Sequence, residues 1–465
     1  MIPRILIAGT ESGSGKTSLA MAIVSALVRR GLTVQTFKIG PDFLDPTYLA
    51  AASGRPCYNL DGWMCGREYV ERLFARSIAG ADCAVIEGVM GLFDGADPSG
   101  PAGCSAEIAA WLRAPVILVA NAHGMARSFA ALVSGFTFFD KTATVIGAIA
   151  NHCGSPRHAA ILDTALKTAG LPPLMGAVPR DGLPAVESRH LGLVTADPLT
   201  NCGPSVLNAF AESAEQHLSI DTLIRAMKEA PDLDVHSKDC DNSPMESIRL
   251  GVARDAAFHF YYPDLFDELR RRGCEIAWFS PLRDEELPQG IDGLYIGGGY
   301  PEVFAEALST NQAMIGAIRR YVETGRPVYA ECGGLMYLSR GVTLLDGSHR
   351  PLCGIVPAET RMLGRLSRLG YTEITLVDDS LWGKAGDVVR GHEFHYSELV
   401  SDPAGSDGWS AVYSRAGRSD TIAGPEGFQR GRVLASYIHM HLASHPKSII
   451  RFISQCIQAR SEAMV

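Results

Sequence analysis

The chain has 465 residues, more than one ordinary hydrophobic core accommodates, so at least two domains are expected. Hydrophobic residues make up 46% and charged residues 20%, a composition typical of a folded globular protein. The net charge of −9 provides no broad basic field for nucleic acid, and no run reaches the ~18 apolar residues that a membrane span needs. The segment before the first glycine loop is too short for a secretory signal, so we expect a cytoplasmic protein.

The eleven cysteines are scattered along the chain, and none is spaced as CxxC. An odd number of thiols without metal-ligand spacing argues against both a disulfide framework and a zinc site. Most of them are expected to be small buried hydrophobic residues. The sequence around Cys332 differs from that of the others and predicts another use.

The first 200 residues alternate short apolar strands with amphipathic helices. Strands are predicted at residues 4–8, 33–38, 83–87, 115–120 and 145–151, and helices at residues 16–30 and 106–112. Such alternation is typical of a mostly parallel sheet covered by helices on both faces. It predicts a doubly wound α/β domain over residues 1–230.

A glycine-rich segment, GTESGSGKT at residues 9–17, follows the first predicted strand and precedes a helix. Its backbone N–H groups can converge on an anion at the helix N-terminus, Lys16 can reach the outer phosphates, and Thr17 can ligate Mg²⁺. The predicted ATP-binding residues are Gly13, Ser14, Gly15, Lys16, Thr17 and Ser18. The segment is a variant, because the strict pattern has glycine where Thr10 stands and the glycine here is Gly9. The alternative is a strand-to-helix turn that binds no ligand.

Acidic segments follow two further predicted strands, namely KIGPDFLDP at residues 38–46 and VIEGVMGLFDG at residues 85–95. The carboxyl ends of parallel strands lie at one edge of a sheet, beside the phosphate loop. Mg²⁺ on a nucleotide is held by oxygen ligands near the γ-phosphate. We therefore expect Asp42, Asp45, Glu87 and Asp94 to converge there, the alternative being solvated loop acids that form turns.

The periodic pattern stops between residues 229 and 246, where the sequence becomes polar and contains two prolines. We place a linker at residues 231–247. Beyond it the alternation restarts, with predicted strands or helices at residues 248–253, 265–272, 275–279, 293–296 and 327–330. The second predicted domain, residues 248–465, is therefore also doubly wound α/β with a mostly parallel sheet.

The segment PVYAECGGLMY at residues 327–337 predicts a buried strand, a tight turn that carries Cys332, and the start of a helix. This is the arrangement of a nucleophile elbow. The turn exposes the sulfur, the glycines after it permit a strained backbone, and the helix N-terminus favours a thiolate. The alternative is a buried structural cysteine.

A thiol that attacks an amide carbonyl needs oxyanion donors and a base. The glycine run IGGGYPE at residues 296–302 offers the backbone N–H groups of Gly298 and Gly299. The segment SYIHMH at residues 436–441 offers His439 and His441, which share one face of a strand. We favour His439 as the base, the alternative being a core or loop histidine.

Taken in order, these segments resemble one known family, the corrin-ring a,c-diamide synthases that act on cobyrinate or hydrogenobyrinate in cobalamin synthesis. The matching motifs are GTESGSGKT, FKIGPDFLDP, YNLDGWM, EGVMGLFDG, RHLGLVTA at residues 189–196, GGGYPE, AECGGLMYL, GHEFHYSE at residues 391–398, and SYIHMH. The resemblance covers nearly the whole chain. It implies a phosphate-loop NTPase-like domain similar to dethiobiotin synthetase, followed by a class I glutamine amidotransferase domain.

The family converts two acetate side chains of a tetrapyrrole to amides with ATP, Mg²⁺ and glutamine. The resemblance implies that Thr17, Asp45 and Glu87 hold the metal, and that Asp42, Asp45 and Asp94 bind or activate substrate. It also implies that Cys332 and His439 hydrolyse glutamine. In the implied chemistry, ATP converts a carboxylate to an acyl phosphate, Cys332 releases ammonia through a thioester, and ammonia displaces phosphate. Glutamine and a tetrapyrrole polycarboxylate are the expected partners, without nucleic acid or membrane, and related folds suggest a homodimer.

The sequence departs from the family pattern at two places. Amidotransferases of this class have Glu two residues after the histidine, where this chain has His441, so a dyad rather than a triad is expected. Cobyrinate enzymes have a histidine soon after PDxxD, and residues 46–49 contain none. Sirohydrochlorin-type and siroheme-type rings therefore stay open as substrates. His392, Glu393 and His395 belong either to a ring-contacting strand or to a cross-domain structural element.

Two other classes of function remain for comparison. The N-terminal half resembles phosphate-loop ATPase switches that partition DNA or position division sites, but such switches carry no cysteine elbow. A decayed enzyme that only binds a tetrapyrrole is the second alternative, and the retained Lys16, Thr17, Cys332 and His439 argue against it.

Overall fold

The computed structural model describes residues 2–184, 202–233, 245–415, 425–441, 445 and 447–463. The chain divides into two compact units, Met1–Lys238 and Asp239–Val465. The RHLGLVTA motif and most of the predicted linker lie outside the described residues. The predicted domain boundaries at residues 230 and 248 therefore stay predictions.

Strands and helices alternate in the first unit, and strands predominate in the second. The first unit contains β1 (Arg4–Gly9), α1 (Lys16–Arg29), β2 (Val34–Ile39), α2 (Asp45–Ser53), β3 (Tyr58–Leu60), α3 (Gly62–Cys65), α4 (Arg67–Ser77), β4 (Cys83–Gly91), α5 (Ser105–Trp111), β5 (Val116–Asn121), α6 (Arg127–Phe138), β6 (Val145–Cys153), α7 (Pro156–Thr168), β7 (Leu174–Pro179), α8 (Pro204–His217) and α9 (Ile220–Lys228). The second unit contains β8 (Ile248–Ala253), α10 (Pro263–Arg271), β9 (Cys274–Phe279), β10 (Gly293–Ile296), α11 (Ala305–Thr310), α12 (Gln312–Glu323), β11 (Val328–Glu331), α13 (Gly333–Leu338), β12 (Gly341–Thr343), β13 (His349–Pro351), β14 (Thr360–Met362), β15 (Arg368–Leu376), β16 (Val388–His395), β17 (Ser397–Leu399), β18 (Ser410–Arg415), β19 (Glu426–Arg430), β20 (Val433–Ser436), β21 (His439–Met440) and α14 (Lys447–Glu462). The predicted α/β class is confirmed.

The first unit is built on a parallel sheet, which contains seven strands within the described residues, in the order β3-β2-β4-β1-β5-β6-β7. Strand β1 lies at its centre, with Ile7 paired to Glu87 of β4 on one side and to Ile117 of β5 on the other. The loops that follow β1, β2 and β4 therefore lie at the same edge of the sheet. This topology places the phosphate loop beside both predicted acidic segments.

Helix α1 is buried along most of its length because its sequence is apolar around nearly the whole circumference. Residues from Leu19 to Leu27 are buried, and α8 packs on the helix with Phe210 in the same core cluster. A helix that is apolar on all sides is expected in the interior of a domain. The start of α1, and with it the phosphate loop, is thus anchored in the core.

The second unit contains a mixed sheet with ten strands in its described part, in the order β21-β16-β15-β18-β19-β20-β11-β10-β8-β9. The segment β20-β11-β10-β8-β9 is parallel, as the strand and helix alternation predicts. The remaining strands join it antiparallel, and the described part of the chain between β15 and β20 contains no crossover helix. A smaller four-stranded sheet, β13-β12-β14-β17, lies apart from it within the described residues.

Two sequence expectations concern membranes and thiols. None of the helices in the described ranges is both long and apolar enough to cross a membrane. The cysteines of these ranges are free, and all except Cys65 are buried. Most of them therefore serve as the small core residues that the sequence predicts.

Candidate active sites

The phosphate loop connects β1 to α1, and Gly15 precedes the helix in the left-handed region, with φ of 91°. An added Cβ on Gly9 would lie 2.9 Å from the backbone carbonyl oxygen of Glu11 and would also meet Ser14 Oγ and Lys16 Nζ. A side chain at position 9 would therefore collide with the loop, which explains the glycine there. Lys16 Nζ donates to the carbonyl of Glu11 at 3.0 Å, inside the loop.

Three predicted metal ligands meet beside this loop. Thr17 Oγ1 donates to Glu87 Oε1 at 2.6 Å and lies 3.1 Å from Asp45 Oδ2. Glu87 is fully buried on β4, and Asp45 is the first residue of α2. The convergence expected from sheet topology is thus present in the side chains.

Lys38 is a site residue that the sequence analysis missed. Its Nζ lies 2.6 Å from Asp45 Oδ2, 2.7 Å from Glu87 Oε1 and 3.8 Å from Asp42 Oδ2. The side chain is 3% exposed near the end of β2. A lysine inside an apolar strand was the available signal, because a buried ammonium needs carboxylate partners.

The charges of this cluster are strongly perturbed. Burial raises the pKa of Glu87 to about 7, and burial together with the neighbouring Asp45 raises the pKa of Asp42 to about 6. Burial opposes ionisation of Asp45 as well, but Lys38 outweighs it and the pKa of Asp45 is lowered. Burial and the nearby Lys38 lower the pKa of Lys16. Burial and the ammonium of Lys38 thus act in opposite directions on the pKa of each of these three acids.

The side chains fit ATP with Mg²⁺. Among the described residues, the buried Glu87 Oε2 and Ser14 Oγ have no hydrogen-bond partner, and they suit a cation and a phosphate oxygen respectively. The described ranges contain no set of three or more His, Cys, Asp or Glu side chains that could hold a metal by themselves. Mg²⁺ on a nucleotide usually takes one or two ligands from protein side chains and the others from phosphate oxygens and water.

Asp94 and Ser18 lie next to this cluster. Asp94 Oδ2 accepts from Gly91 N at 2.9 Å, and Leu92 N donates to Gly9 O at 2.8 Å, which ties the loop after β4 to the phosphate loop. The Asp94 carboxylate is exposed and acts electrostatically on Lys16. Ser18 is half-buried on α1. The structure thus brings Thr17, Asp45 and Glu87 together and leaves Asp94 at the rim.

In the second unit, Cys332 occupies a strained turn between β11 and α13, with φ of 46° and ψ of −101°. A positive φ is uncommon for a residue with a side chain and is a feature of nucleophile elbows. Its backbone N–H donates to the carbonyl of Ser436 at 2.7 Å. The predicted strand, turn and helix are all present.

The glycine run after β10 contacts both the elbow and His439. An added Cβ on Gly333 would lie 3.1 Å from Gly299 N, and one on Gly298 would lie 2.5 Å from His439 Cε1. Cys332 Sγ lies 4.0 Å from the carbonyl oxygen of Phe394, on the strand that pairs with β21. The elbow and the His439 ring therefore converge on one loop, which contains Gly298 and Gly299.

His441, the other candidate base, lies beside a different carboxylate from the one beside His439. Its Nε2 lies 3.3 Å from Asp264 Oδ2, and its ring centroid is 4.6 Å from that of Tyr262. His439 Nδ1 instead lies 3.6 Å from Glu331 Oε2, next to the elbow. The geometry favours His439.

Comparison with known proteins follows the same division of the chain. Residues 5–193 match the model of the CobQ/CobB/MinD/ParA nucleotide binding domain, and residues 249–447 match that of the CobB/CobQ-like glutamine amidotransferase domain. A cobyrinate a,c-diamide synthase of Syntrophotalea carbinolica is 51% identical over 98% of this chain and 98% of its own. Proteins of the same name from Leptospira interrogans and Picrophilus torridus are 41% and 39% identical, over 98% of this chain and 99% of theirs.

The chain belongs to the cobyrinate a,c-diamide synthase family. Full-length similarity at this level, together with the amidotransferase domain, makes this family member an amidating ligase. A solved glutamine amidotransferase aligns with 46% of this chain and 99% of its own at 18% identity, with a TM-score of 0.32. The sequence expectation about the family is confirmed.

The GHEFHYSE segment of this family member borders the cysteine elbow within the second unit. The His392 ring stacks on that of His439, and His395 stacks on Tyr437 at 4.1 Å between centroids. Arg415 Nη1 lies 3.2 Å from both carboxylate oxygens of Glu393, and His395 Nε2 lies 3.4 Å from Oε2. All three residues whose role the sequence left open are therefore part of the surroundings of the elbow.

Proposed function

We propose that the protein amidates the a and c acetate side chains of cobyrinate or hydrogenobyrinate in cobalamin synthesis, with ATP and Mg²⁺ and with glutamine as nitrogen donor. The observation that carries the proposal is the presence, in one chain, of a phosphate loop with convergent acids and a strained cysteine elbow beside His439. The choice of ring rests on the name shared by relatives up to 51% identical over 98% of this chain.

The first unit would carry out the activation step. A carboxylate is a poor electrophile until one of its oxygens becomes a leaving group. Transfer of the γ-phosphoryl group of ATP to that oxygen yields an acyl phosphate and ADP. Lys16 and the N-terminus of α1 would compensate the phosphate charge, and Thr17, Asp45 and Glu87 would hold the Mg²⁺ that neutralises it further.

Asp42 and Asp94 would bind or activate the acid substrate from the two loops beside these ligands. Asp42 lies 3.8 Å from Lys38 Nζ, and Asp94 is exposed at the rim. Because burial raises the pKa of Asp42 to about 6, this side chain can carry a proton at the site near neutral pH. Their position supports contact with an incoming polycarboxylate.

The second unit would supply ammonia. Burial raises the pKa of the Cys332 thiol, so its proton must be removed by a base as the sulfur attacks. His439 would take this proton, the sulfur would bond to the amide carbon of glutamine, and Gly298 and Gly299 would face the oxyanion. Return of the proton to the nitrogen releases ammonia and leaves a thioester, which water cleaves to glutamate. Ammonia then attacks the acyl phosphate and displaces phosphate.

The proposal includes a cytoplasmic protein with glutamine and a tetrapyrrole polycarboxylate as partners, without nucleic acid or membrane, and a homodimer as its assembly. The net charge of −9 supports the absence of nucleic acid. A second candidate substrate is a sirohydrochlorin-type or siroheme-type ring. It is favoured by α2, which begins with Asp45 and contains no histidine.

The test is a turnover assay with ATP, Mg²⁺ and glutamine against hydrogenobyrinate, cobyrinate, sirohydrochlorin and siroheme, with product masses as the readout. We expect two exchanges of hydroxyl for amino groups on a corrin acid. If only a siro-type ring is amidated, the proposed mechanism stands and the proposed corrin substrate is wrong. Absence of amidation on every ring, with active glutamine hydrolysis, would contradict the proposed acceptor class.

A further inference from the structure

The carboxylate expected two residues after the catalytic histidine is missing from this chain, because His441 occupies that position. His441 Nε2 lies 3.3 Å from Asp264 Oδ2, so its neighbouring carboxylate is a different one from that beside His439. The His439 ring nevertheless has a carboxylate beside it. Glu331 Oε2 lies 3.6 Å from His439 Nδ1, and it comes from the residue that immediately precedes Cys332.

The sheet register brings Glu331 to this place. Glu331 is the last residue of β11 and pairs with Ser436, the last residue of β20. After Ser436 the chain bends into β21, and Met440 N donates to Glu331 Oε1 at 3.3 Å. One carboxylate therefore binds the backbone next to His439 and also faces its ring.

Two buried tyrosines fix this carboxylate. Tyr295 OH donates to Glu331 Oε2 at 2.8 Å, and Tyr329 OH donates to Oε1 at 2.7 Å. The two rings stack with centroids 5.3 Å apart. Burial, followed by the charge of Glu331, raises the pKa of both phenols well above the ordinary value, so both hydroxyls remain donors. A 4% exposed carboxylate with these donors is held as an acceptor in one orientation.

We propose that Glu331 is the positioning carboxylate of the glutaminase site and replaces the glutamate that related enzymes place after the histidine. It would accept the Nδ1 proton of His439 and so leave Nε2 to take the proton of Cys332. The inference rests on the proposed role of His439 as base. The 3.6 Å separation is longer than a hydrogen bond, and contacts of this kind often tighten when substrate binds.

Three described neighbours of the His439 ring carry no negative charge. His392, from β16, stacks on the ring with centroids 5.0 Å apart, and burial followed by the neighbouring histidines lowers its pKa well below the ordinary value. Phe260 contacts the ring from another side, at 6.4 Å between centroids, and Gly298 lies against Cε1. Glu331 is thus the anion that the structure places at Nδ1 of this ring.

The experiment compares full-length wild-type protein with Glu331→Gln, which keeps the size of the side chain and an acceptor for the tyrosines. Steady-state hydrolysis of glutamine to glutamate is measured, and ring amidation with ammonium salt is measured in parallel. We expect kcat for glutamine to fall by ~10²-fold or more, with little change in KM, and ammonia-supported amidation to persist.

A spectroscopic readout separates positioning from a purely structural role. In protein labelled with ¹⁵N-histidine, the His439 signals are assigned by their loss in His439→Gln. We expect the tautomer with the proton on Nδ1 in wild type and a mixture of tautomers in Glu331→Gln. Asp264→Asn is the matched control, since it changes the carboxylate beside His441 and should leave the His439 tautomer unchanged.

Tyr295→Phe is the second variant, and it keeps the inference testable if Glu331→Gln does not fold. It removes the donor to the oxygen that faces His439, and we expect a smaller fall in glutamine kcat with ammonia use retained. Wild-type rates of glutamine use and an unchanged tautomer in Glu331→Gln would overturn the inference. Equal loss of the glutamine and ammonia reactions would overturn it too, as a structural effect. Failure of wild-type protein to hydrolyse glutamine would instead contradict the proposed function.

Discussion

His392 and His439 face each other across the pair of strands β16 and β21, with ring centroids 5.0 Å apart and planes inclined by 19°. Burial keeps His392 neutral, so it can lie on the His439 ring without repelling its protonated form. The hydroxyl of Tyr262 lies 3.2 Å from His392 Nδ1 and fixes the ring. His392 is therefore a packing partner of the proposed base.

Replacement of His392 tests this packing role. We expect His392→Phe to keep most of the glutamine-dependent rate, because a flat ring remains against His439. His392→Ala leaves a cavity and should lower both that rate and the unfolding free energy, the latter by about 2–4 kcal/mol. Glutamine-dependent kcat and denaturant unfolding of the two variants provide the comparison. If His392→Phe were as inactive as His392→Ala, the bond to Tyr262 rather than ring packing would be the essential feature.

Removal of the Cys332 thiol should separate glutamine hydrolysis from ATP-dependent amidation. Cys332→Ala is expected to abolish glutamine-dependent amidation and to retain the ammonia-dependent reaction, because the proposed acyl phosphate would form in the other unit. Cys353→Ala is the matched control, since Cys353 is a buried cysteine of the same core cluster. Loss of the ammonia reaction in Cys332→Ala alone would show that Cys332 has a structural role.

The close approach of His439 to the glycine loop makes Gly298→Ala a sharp test. The added Cβ would lie 2.5 Å from His439 Cε1 and displace the ring. We expect loss of glutamine hydrolysis with retention of ammonia use. Gly364→Ala is the control, because a Cβ at that glycine has no neighbour within 4 Å among the described residues. Normal glutamine hydrolysis by Gly298→Ala would contradict the proposed site geometry.

Lys38 connects stability and catalysis in the first unit. Lys38→Met leaves Glu87 and Asp45 without their ammonium partner, which should lower the unfolding free energy by about 3–5 kcal/mol. ATP-dependent amidation should fall with glutamine and with ammonia alike. Adding Glu87→Gln to Lys38→Met should recover stability but not activity. If thermal unfolding shows that Lys38→Met alone is as stable as wild type, the buried ion cluster does not stabilise the fold.

The Glu393 ion pair predicts a pH dependence of stability. Burial opposes ionisation of Glu393, but His395 and Arg415 overcome it and lower its pKa from 4.5 to about 2. Because the folded value is the lower one, the stabilisation is complete above pH 4.5 and is lost as the pH falls toward 2. The stability difference between wild type and Arg415→Met should therefore narrow over this range in denaturant titrations. If the difference in unfolding free energy between the two proteins does not change with pH, Arg415 stabilises the fold by packing and not by its charge.

Sequence patterns predicted the features that depend on local spacing. The phosphate loop, the acids after β2 and β4, the elbow at Cys332 and the choice of His439 all follow from motifs at strand ends. Lys38 and Glu331 were missed as partners because their contacts depend on register between strands distant in sequence. Lys38 meets Glu87 across β2 and β4, and Glu331 meets His439 only because β20 pairs with β11.

The antiparallel part of the second sheet was also beyond the sequence reasoning. No helix lies between β15 and β19 in the part of the chain that the structure describes, and β15 and β16 expose the hydrophobic residues Leu369 and Val388. This weakens the alternation of apolar and polar residues by which a strand is identified. The segment that contains His392 was recognised as a motif. Its position beside His439 could not be predicted, because it depends on the pairing of two strands that are distant in sequence.

The hydrogen bond from Met440 N to Glu331 Oε1 joins residues that are 109 positions apart. During synthesis, a ribosome that adds ~5–20 residues per second needs several seconds to pass from Cys332 to His439. Throughout that interval the nascent thiol has neither its base nor the strand β20 that completes the elbow. If His439 is the base as proposed, a nascent chain that has not yet reached residue 439 would be unable to hydrolyse glutamine.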